Sequence, residues 1–464
     1  MLIRYNSHAS ISLISKNKKK LITDPWFYEP IYGGMMWQYP RSNLSIAEYT
    51  NSDYIVISHI HPDHFCTKTL NHFDNKKTKI LIPDNESMKP MSDYLDKKDF
   101  QYHFIKNDEK FNLDDTFEVT FYCSDNNIDS VQVISEKDSQ ESLFNMNDCF
   151  LTNKQLDFIS KKHLINHAMV FFMGVGPYPG SFDLPLEKKL EIIKNKEKSD
   201  YKRALNIIRR LNVSSYTAYS NDMTWLRRPD LVNINGSLKS KFYKFVNKLI
   251  PSIKSIPLES GDTYCLSSKN KDIKSTLIED KAIFTKDIQI LKSKSFLTRQ
   301  INKIEKAESS FVFNKDLFYE EVKIIYNIFL KELKNKNLNQ KKNYPDHLNQ
   351  SFAKEKYVIK LFLLPESYTA LFTFHYEDEL LYLSFNDNEE NNLYIDLNLQ
   401  LPSYLWSALQ NNFYSSEDLM NCRFFIQRDG EYTQIEDSFW NAFSKFKRGE
   451  NFKINDYQQL SLSN

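Results

Sequence analysis

Three of the chain's ten histidines fall within six residues, in the run Ile55-Val-Ile-Ser-His59-Ile-His61-Pro-Asp63-His64. In an extended or tightly turning segment, His59 and His61 share a face, because side chains two apart point the same way. Two neutral imidazoles on one side are a nitrogen pair suited to zinc or iron. Asp63 and His64 follow where Pro62 turns the chain, and can serve a second metal position. Bound there, a divalent ion would acidify a water and polarise a scissile bond, with Asp63 as a proton acceptor.

The pattern H-x-H-x-D-H after an apolar strand resembles the signature of the metallo-β-lactamase superfamily. The resemblance implies an α/β fold, an αββα sandwich with its metal site at one edge of the two sheets, but names no substrate. Asp148, in Phe144-Asn-Met-Asn-Asp148-Cys149, resembles the superfamily's fourth motif, an aspartate that bridges two metals or closes a single site. The third-motif histidine belongs in the loop Ser124–Ser130, which has none. The CMP-N-acetylneuraminate hydroxylase group within the superfamily carries that histidine four residues before an Asp-Thr pair. Counting back from Asp129-Ser130 gives Asp125, a carboxylate that can ligate and accept a proton, or simply form an Asx-turn. The fifth-motif histidine is missing from Ser215 to Trp225, so the second metal position is either incomplete or recruits an unusual ligand such as Asp222. The implied ligand set is therefore His59, His61, Asp63, His64, Asp125 and Asp148. Its oxygen content suits iron or manganese as well as zinc, and one or two ions.

These residues need elements to hold them. Tyr54–Ile57 is β-branched and apolar, a buried strand leading into the histidines. Ala9–Ser15 and Lys20–Thr23 flank the turn Lys16-Asn-Lys-Lys-Lys and read as a hairpin. His8 precedes it; such an isolated histidine is more often a hydrogen-bonding group than a ligand. Ser-His8-Ala, followed by Thr23-Asp-Pro-Trp and the loop Tyr32-Gly-Gly-Met-Met-Trp37, resembles the opening of the same hydroxylase group. Thr67–Phe73 reads as a short helix; Lys79–Pro83, Phe117–Cys123, Val131–Ile134 and Ala168–Met173 read as strands. Gly174-Val-Gly-Pro-Tyr178-Pro-Gly180 forces a sharp turn, and by the resemblance lies near the active site, with Tyr178 a substrate-binding candidate. Neither His163 nor His167 fits a ligand motif. Leu186–Leu211 is helical by pattern, and Arg227-Arg228 beyond it could hold an anion by bidentate hydrogen bonds.

Past residue 265 the composition changes. The sequence divides into a metal-binding domain over 1–265, a helical connector over 266–345 and a C-terminal α+β domain over 346–464. The connector holds a helix from Asn314 to Leu333 with Leu317, Val322, Ile325, Phe329 and Leu333 on one face, then a polar run from Asn335 to Tyr344. Strands are expected at Tyr357–Leu364, Ala370–His375, Leu380–Phe385 and Leu393–Leu397, then helices at Pro402–Gln410 and Ser438–Phe446. Leu401-Pro-Ser-Tyr-Leu, Ser416-Glu-Asp-Leu-Met and Phe439-Trp-Asn-Ala-Phe resemble the C-terminal end of the hydroxylase group.

The 464 residues carry 61 basic and 60 acidic side chains, so no whole-chain field points to nucleic acid. Five cysteines, Cys66, Cys123, Cys149, Cys265 and Cys422, are scattered without a C-x-x-C pair, as expected of a reduced, cytoplasmic protein. Neither a signal peptide nor a run of the ~20 apolar residues a membrane span needs is expected.

Three readings follow. The first is a metal-dependent hydrolase acting on a small anionic substrate, sugar- or nucleotide-linked by the resemblance. The second is an iron-dependent oxygenase like the resembling hydroxylases. Those begin with a Rieske module built on paired cysteine and histidine motifs; this sequence has no such pairs, so its electrons would come from a separate transfer protein. The third is a non-catalytic binding protein with a degenerate site, against which the intact H-x-H-x-D-H argues. The absent electron-transfer module tips the balance to hydrolysis.

Overall fold

The computed structural model describes residues 1–27, 30–85, 88–124, 129–174, 176, 178–225, 239–266, 295–335, 355–365, 367–385, 394–411, 414–420, 424–429 and 433–446. They fall into two compact units, one within Met1–Val175 and Glu191–Lys294, the other within Gly176–Leu190 and Ser295–Phe452.

The first unit is an αββα sandwich. One seven-stranded sheet runs in the order Thr263–Cys265, Leu2–Ser7, Ser10–Ile14, Lys20–Thr23, Tyr54–Val56, Lys79–Pro83, Gln101–Ile105. The other runs Lys254–Ser255, Ser215–Tyr219, His167–Phe171, Glu141–Asn145, Ser130–Glu136, Phe117–Cys123, Lys110–Leu113. The inner strands are apolar on both faces because both are covered. Tyr54 and Val56 point between the sheets with Leu21, Leu81, Ile134, Leu143 and Met169. Their neighbours Ile22, Ile55, Ile57, Ile80 and Ile82 point outward, under the helices Thr67–Leu70 and Lys89–Lys97. On the far side Val131, Val133, Phe144, Ala168 and Val170 pack against Asn153–Lys162, Leu186–Leu211 and Lys239–Leu249. Each such aliphatic or aromatic side chain contributes ~1.5–3 kcal/mol by burial, so the strands cannot slip without exposing one face. The strands Lys20–Thr23 and Tyr54–Val56 run parallel, and their carboxyl ends deliver Asp24 and the histidine run to one edge.

In the second unit a five-stranded sheet runs Leu380–Ser384, Tyr368–His375, Lys356–Leu364, Leu397–Pro402, Phe425–Arg428. The helices Ser295–Glu308 and Lys315–Asn335 belong to this unit. The buried stripe of Lys315–Asn335 is Phe318, Val322, Ile325, Phe329 and Leu333. Leu317, expected on that face, is 41% exposed, because Phe318 takes the inward position of that turn. The strand expected at Leu393–Leu397 instead begins at Leu397, where parallel pairing with Lys356–Leu364 starts. Among the described residues no helix is long and apolar enough to cross a membrane.

Candidate metal centre

The strand Tyr54–Val56 ends just before Ser58, and the loop that follows sets out the histidines. Ser58 N–H and Oγ both bond the fully buried Asp24 carboxylate at 2.7 Å, and Asp24 Oδ2 also meets His64 Nδ1 at 3.0 Å. Asp24 thereby holds the proton on His64 Nδ1 and leaves Nε2 as the donor atom, the usual task of a carboxylate behind a ligating histidine. Ser58 Oγ lies 2.8 Å from His59 Nδ1, which turns His59 Nε2 toward His61 Nδ1, 2.7 Å away.

Three groups of donor atoms, each within 4.8 Å of one another, result: His59, His61 and Asp129; His8, Asp63 and His64; and His59, His64 and Asp148. The first two are separate triads, and the third joins them through Asp148. Asp129 Oδ1 is 3.9 Å from His59 Nε2, and His64 Nε2 is 3.4 Å from Asp63 and 3.5 Å from Asp148. His8 Nε2 is 3.2 Å from Asp63 Oδ2, whose Oδ1 accepts from the Tyr32 hydroxyl at 3.0 Å.

Of the expected ligands, His59, His61, Asp63, His64 and Asp148 are brought together. Asp125, and the candidate anion-holding pair Arg227 and Arg228, lie outside the described residues. Asp129, used above only as a counting mark, is the carboxylate beside His59 and His61. Asp222 is not in the centre. Its carboxylate accepts from Tyr5 OH and pairs with Lys239 Nζ at 2.7 Å, deep in the fold. His8, which the sequence left as an ordinary hydrogen-bonding group, instead stands beside Asp63 and His64 as a third donor. Tyr178 belongs to the second unit, with its ring edge-on to Phe182 and the Arg428 guanidinium 5.3 Å above it.

His8 reaches the centre from the tip of the hairpin between Leu2–Ser7 and Ser10–Ile14, just after a register shift at Tyr5–Ser7 that re-aims the strand. It is the first of two turn residues and has φ of 51°, where such turns favour glycine. Holding a non-glycine there costs roughly 1–2 kcal/mol. Asp24, Tyr32, Asn147 and Ser220 also have positive φ, and each touches or adjoins a donor residue. Strain of this kind collects where geometry is set for function rather than for stability. Behind Asp148, Asn145, Asn147, Gln132 and Tyr219 form a buried amide and hydroxyl network, and Ser220 Oγ donates to Asp148 Oδ1 at 3.1 Å.

The chemistry of the site fits a cation. Among the described residues, the buried atoms His64 Nε2 and Asp129 Oδ1 make no well-formed hydrogen bond, although carboxylates lie 3.4–3.5 Å from His64 Nε2. Burial, reinforced by the Asp148 charge and offset by His64, pushes the Asp129 carboxyl up to about 7, as expected where acids crowd without a counter-ion. Burial disfavours charge on His64, but Asp63, Asp148 and Asp24 outweigh it and raise the imidazole well above its ordinary value. Burial likewise opposes the Asp63 charge, yet His64 and His8 hold that carboxyl well below the usual range.

A proton therefore sits on His64 where a cation would. Because its folded pKa is raised, that proton must leave before the nitrogen can ligate. Metal affinity is expected to climb with pH, with protons released as the ion binds. Calorimetry of zinc binding at pH 7 in buffers of different ionisation heat measures the release, and zero release contradicts the assignment.

Residues 2–153 match the β-lactamase superfamily domain, and the amino-terminal unit that contains them has the metallo-β-lactamase αββα fold. A Rieske 2Fe-2S iron-sulfur protein of Mycobacterium tuberculosis is 28% identical over 189 residues, which cover 38% of this chain and 35% of that protein. The cytidine monophosphate-N-acetylneuraminic acid hydroxylase of Xenopus laevis is 31% identical over 96 residues, covering 20% of this chain and 16% of that enzyme. The chain thus spans about a third or less of the length of these curated relatives. Among solved structures, the isothiocyanate hydrolase from Delia radicum gut bacteria aligns with a TM-score of 0.41 at 11% identity, over 57% of this chain and 99% of that one.

Proposed function

We infer that the chain is a metal-dependent hydrolase whose centre takes two divalent ions and acts on a small anionic substrate. The observation that carries this reading is the pair of donor triads joined through Asp148. The first position would be held by His59, His61 and Asp129, the second by His8, Asp63 and His64, with Asp148 shared. Ions there would supply an acidified water and polarise the bond to be cleaved. The protein's part is to fix that geometry. Asp24 and Ser58 lock the tautomers of His64 and His59, while Tyr32 and His8 grip the two oxygens of Asp63. Held in this way, Asp63 is the group placed to take a proton from the attacking water.

A second reading is supported by the relatives named as a hydroxylase and a Rieske protein. Each donor group here is two histidines and one carboxylate, a set that also suits non-haem iron. On that reading a separate electron-transfer protein would be the partner.

Metal analysis of protein purified without added metal, followed by isotope labelling, separates the two. Incubation with a panel of phosphoesters, esters and cytidine monophosphate-linked sugars in 18O-water is expected to place the label in product, with or without air. Label drawn from 18O2 instead, with iron as the bound metal, would overturn the hydrolytic reading.

A further inference from the structure

Within Ser215–Trp225, where the resemblance leads one to expect the fifth-motif histidine, Ser220 bonds His8 directly and Asp222 reaches it through Tyr5. Ser220 N–H donates to the His8 carbonyl at 2.9 Å, and the Tyr5 hydroxyl, whose one proton is shared with Asp222, lies 2.9 Å from the same oxygen. That hydroxyl also meets the Asp222 carboxylate, which is paired with Lys239 Nζ at 2.7 Å. The ammonium in turn lies 4.7 Å from the centre of the Tyr5 ring. Lys239 and Asp222 are only 10% and 7% exposed. A buried ion pair seldom repays its own desolvation and is poor evidence of a stabilising role. What this one does have is an object: the carbonyl of a residue held at positive φ, whose ring is a donor of the second triad.

We propose that Tyr5, Asp222 and Lys239 are positioning residues for His8, setting the affinity of the second metal position independently of the first. The inference rests on the two-position reading of the centre. Asp222 belongs to none of the donor groups, and the contact that links the three side chains to the centre is the one at the His8 carbonyl. Their absence would let the turn relax to negative φ and swing the imidazole away from Asp63 and His64. The first triad is built on other residues, His59, His61 and Asp129, and on this proposal should be indifferent to the brace.

The test is zinc titration of the full chain by calorimetry, with cobalt absorption as a second readout, for Tyr5→Phe, Asp222→Asn and Lys239→Met. His8→Ala is the reference, and circular dichroism checks the fold. Tyr5→Phe and Asp222→Asn should weaken the second equivalent 10–100-fold, the range typical of groups that orient ligands, and leave the first unchanged. Lys239→Arg should retain more of the second equivalent than Lys239→Met. If His8→Ala abolishes the second equivalent while the brace variants keep it, the brace is wrong and the centre right. If His8→Ala leaves both equivalents intact, the reading of the centre fails and the brace fails with it. Equal weakening of both equivalents by Tyr5→Phe would mean general loosening and would also overturn the proposal.

Discussion

Replacing His59 and His61 together by alanine is expected to strip the protein of tightly held metal. The pair supplies both nitrogens of the first triad, and His59 also belongs to the group that includes His64 and Asp148. Losing a hydrogen bond behind a ligand already weakens a metal site 10–100-fold; losing two ligands outright should exceed the upper end of that range. The second triad keeps its own donors, so any residual ion should be weak and removable by a mild chelator. Elemental analysis of the purified variant, with circular dichroism to show that it is folded, measures the effect. Wild-type metal content in the folded variant would remove the histidine run from the centre.

The second large effect lies away from the site. His167 is fully buried in the middle of the second sheet, with Nδ1 2.8 Å from Ser215 Oγ and Nε2 3.1 Å from Thr217 Oγ1. Thr217 gives its own proton to the Ile256 carbonyl at 2.7 Å, and can therefore accept one from His167 Nε2–H. Both ring nitrogens are thus satisfied with the imidazole neutral. Burial alone pushes its pKa down to about 3, whereas in the unfolded chain it would titrate near ~6.5. Between those values the unfolded state binds the extra proton, so stability rises with pH. The contribution is complete above about pH 6.5 and is lost as the pH falls toward 3, on the order of 5 kcal/mol in all. Denaturant unfolding of the metal-free protein across this range should show a steep acid limb, flattened in His167→Met. A limb of equal slope in both proteins would refute the account.

Much of the sandwich was legible from its strands. Lys79–Pro83 and Phe117–Cys123 run as expected, because a strand apolar on both faces leaves a continuous signal. The histidine run was legible for a similar reason, since its donors are neighbours in sequence and their spacing alone puts two on one face. His8 and Asp129 were not. Each is a common polar residue in a turn or loop, and becomes a donor only when distant strands bring it beside the motif. Asp24 could be noticed for its company, Pro25 and Trp26, but not for its hold on His64. Counting along a loop selected Asp125, which lies outside the described residues, whereas Asp129, four residues on, is described and lies 3.9 Å from His59. In the second unit the register error at Leu317 and Phe318 has a simpler origin, as two adjacent apolar residues sit at the border of a helical stripe and periodicity alone cannot rank them.

The strand that carries His8 is closed on its outer side by one of the last strands of its unit. Leu2 pairs with Cys265, and the Tyr5 backbone is bonded on both sides by Gly261 and Asp262. This gives the centre an order in time. During synthesis His59, His61 and Asp129 can meet as soon as the first half of both sheets has emerged. The corner that His8 fills must wait for Ser220 and for the returning edge strand, a pairing of high sequence separation and hence slow to form. On the two-ion reading, a nascent chain would take up its first ion early and its second only after the domain is sewn shut, so occupancy of the second position would mark a finished fold.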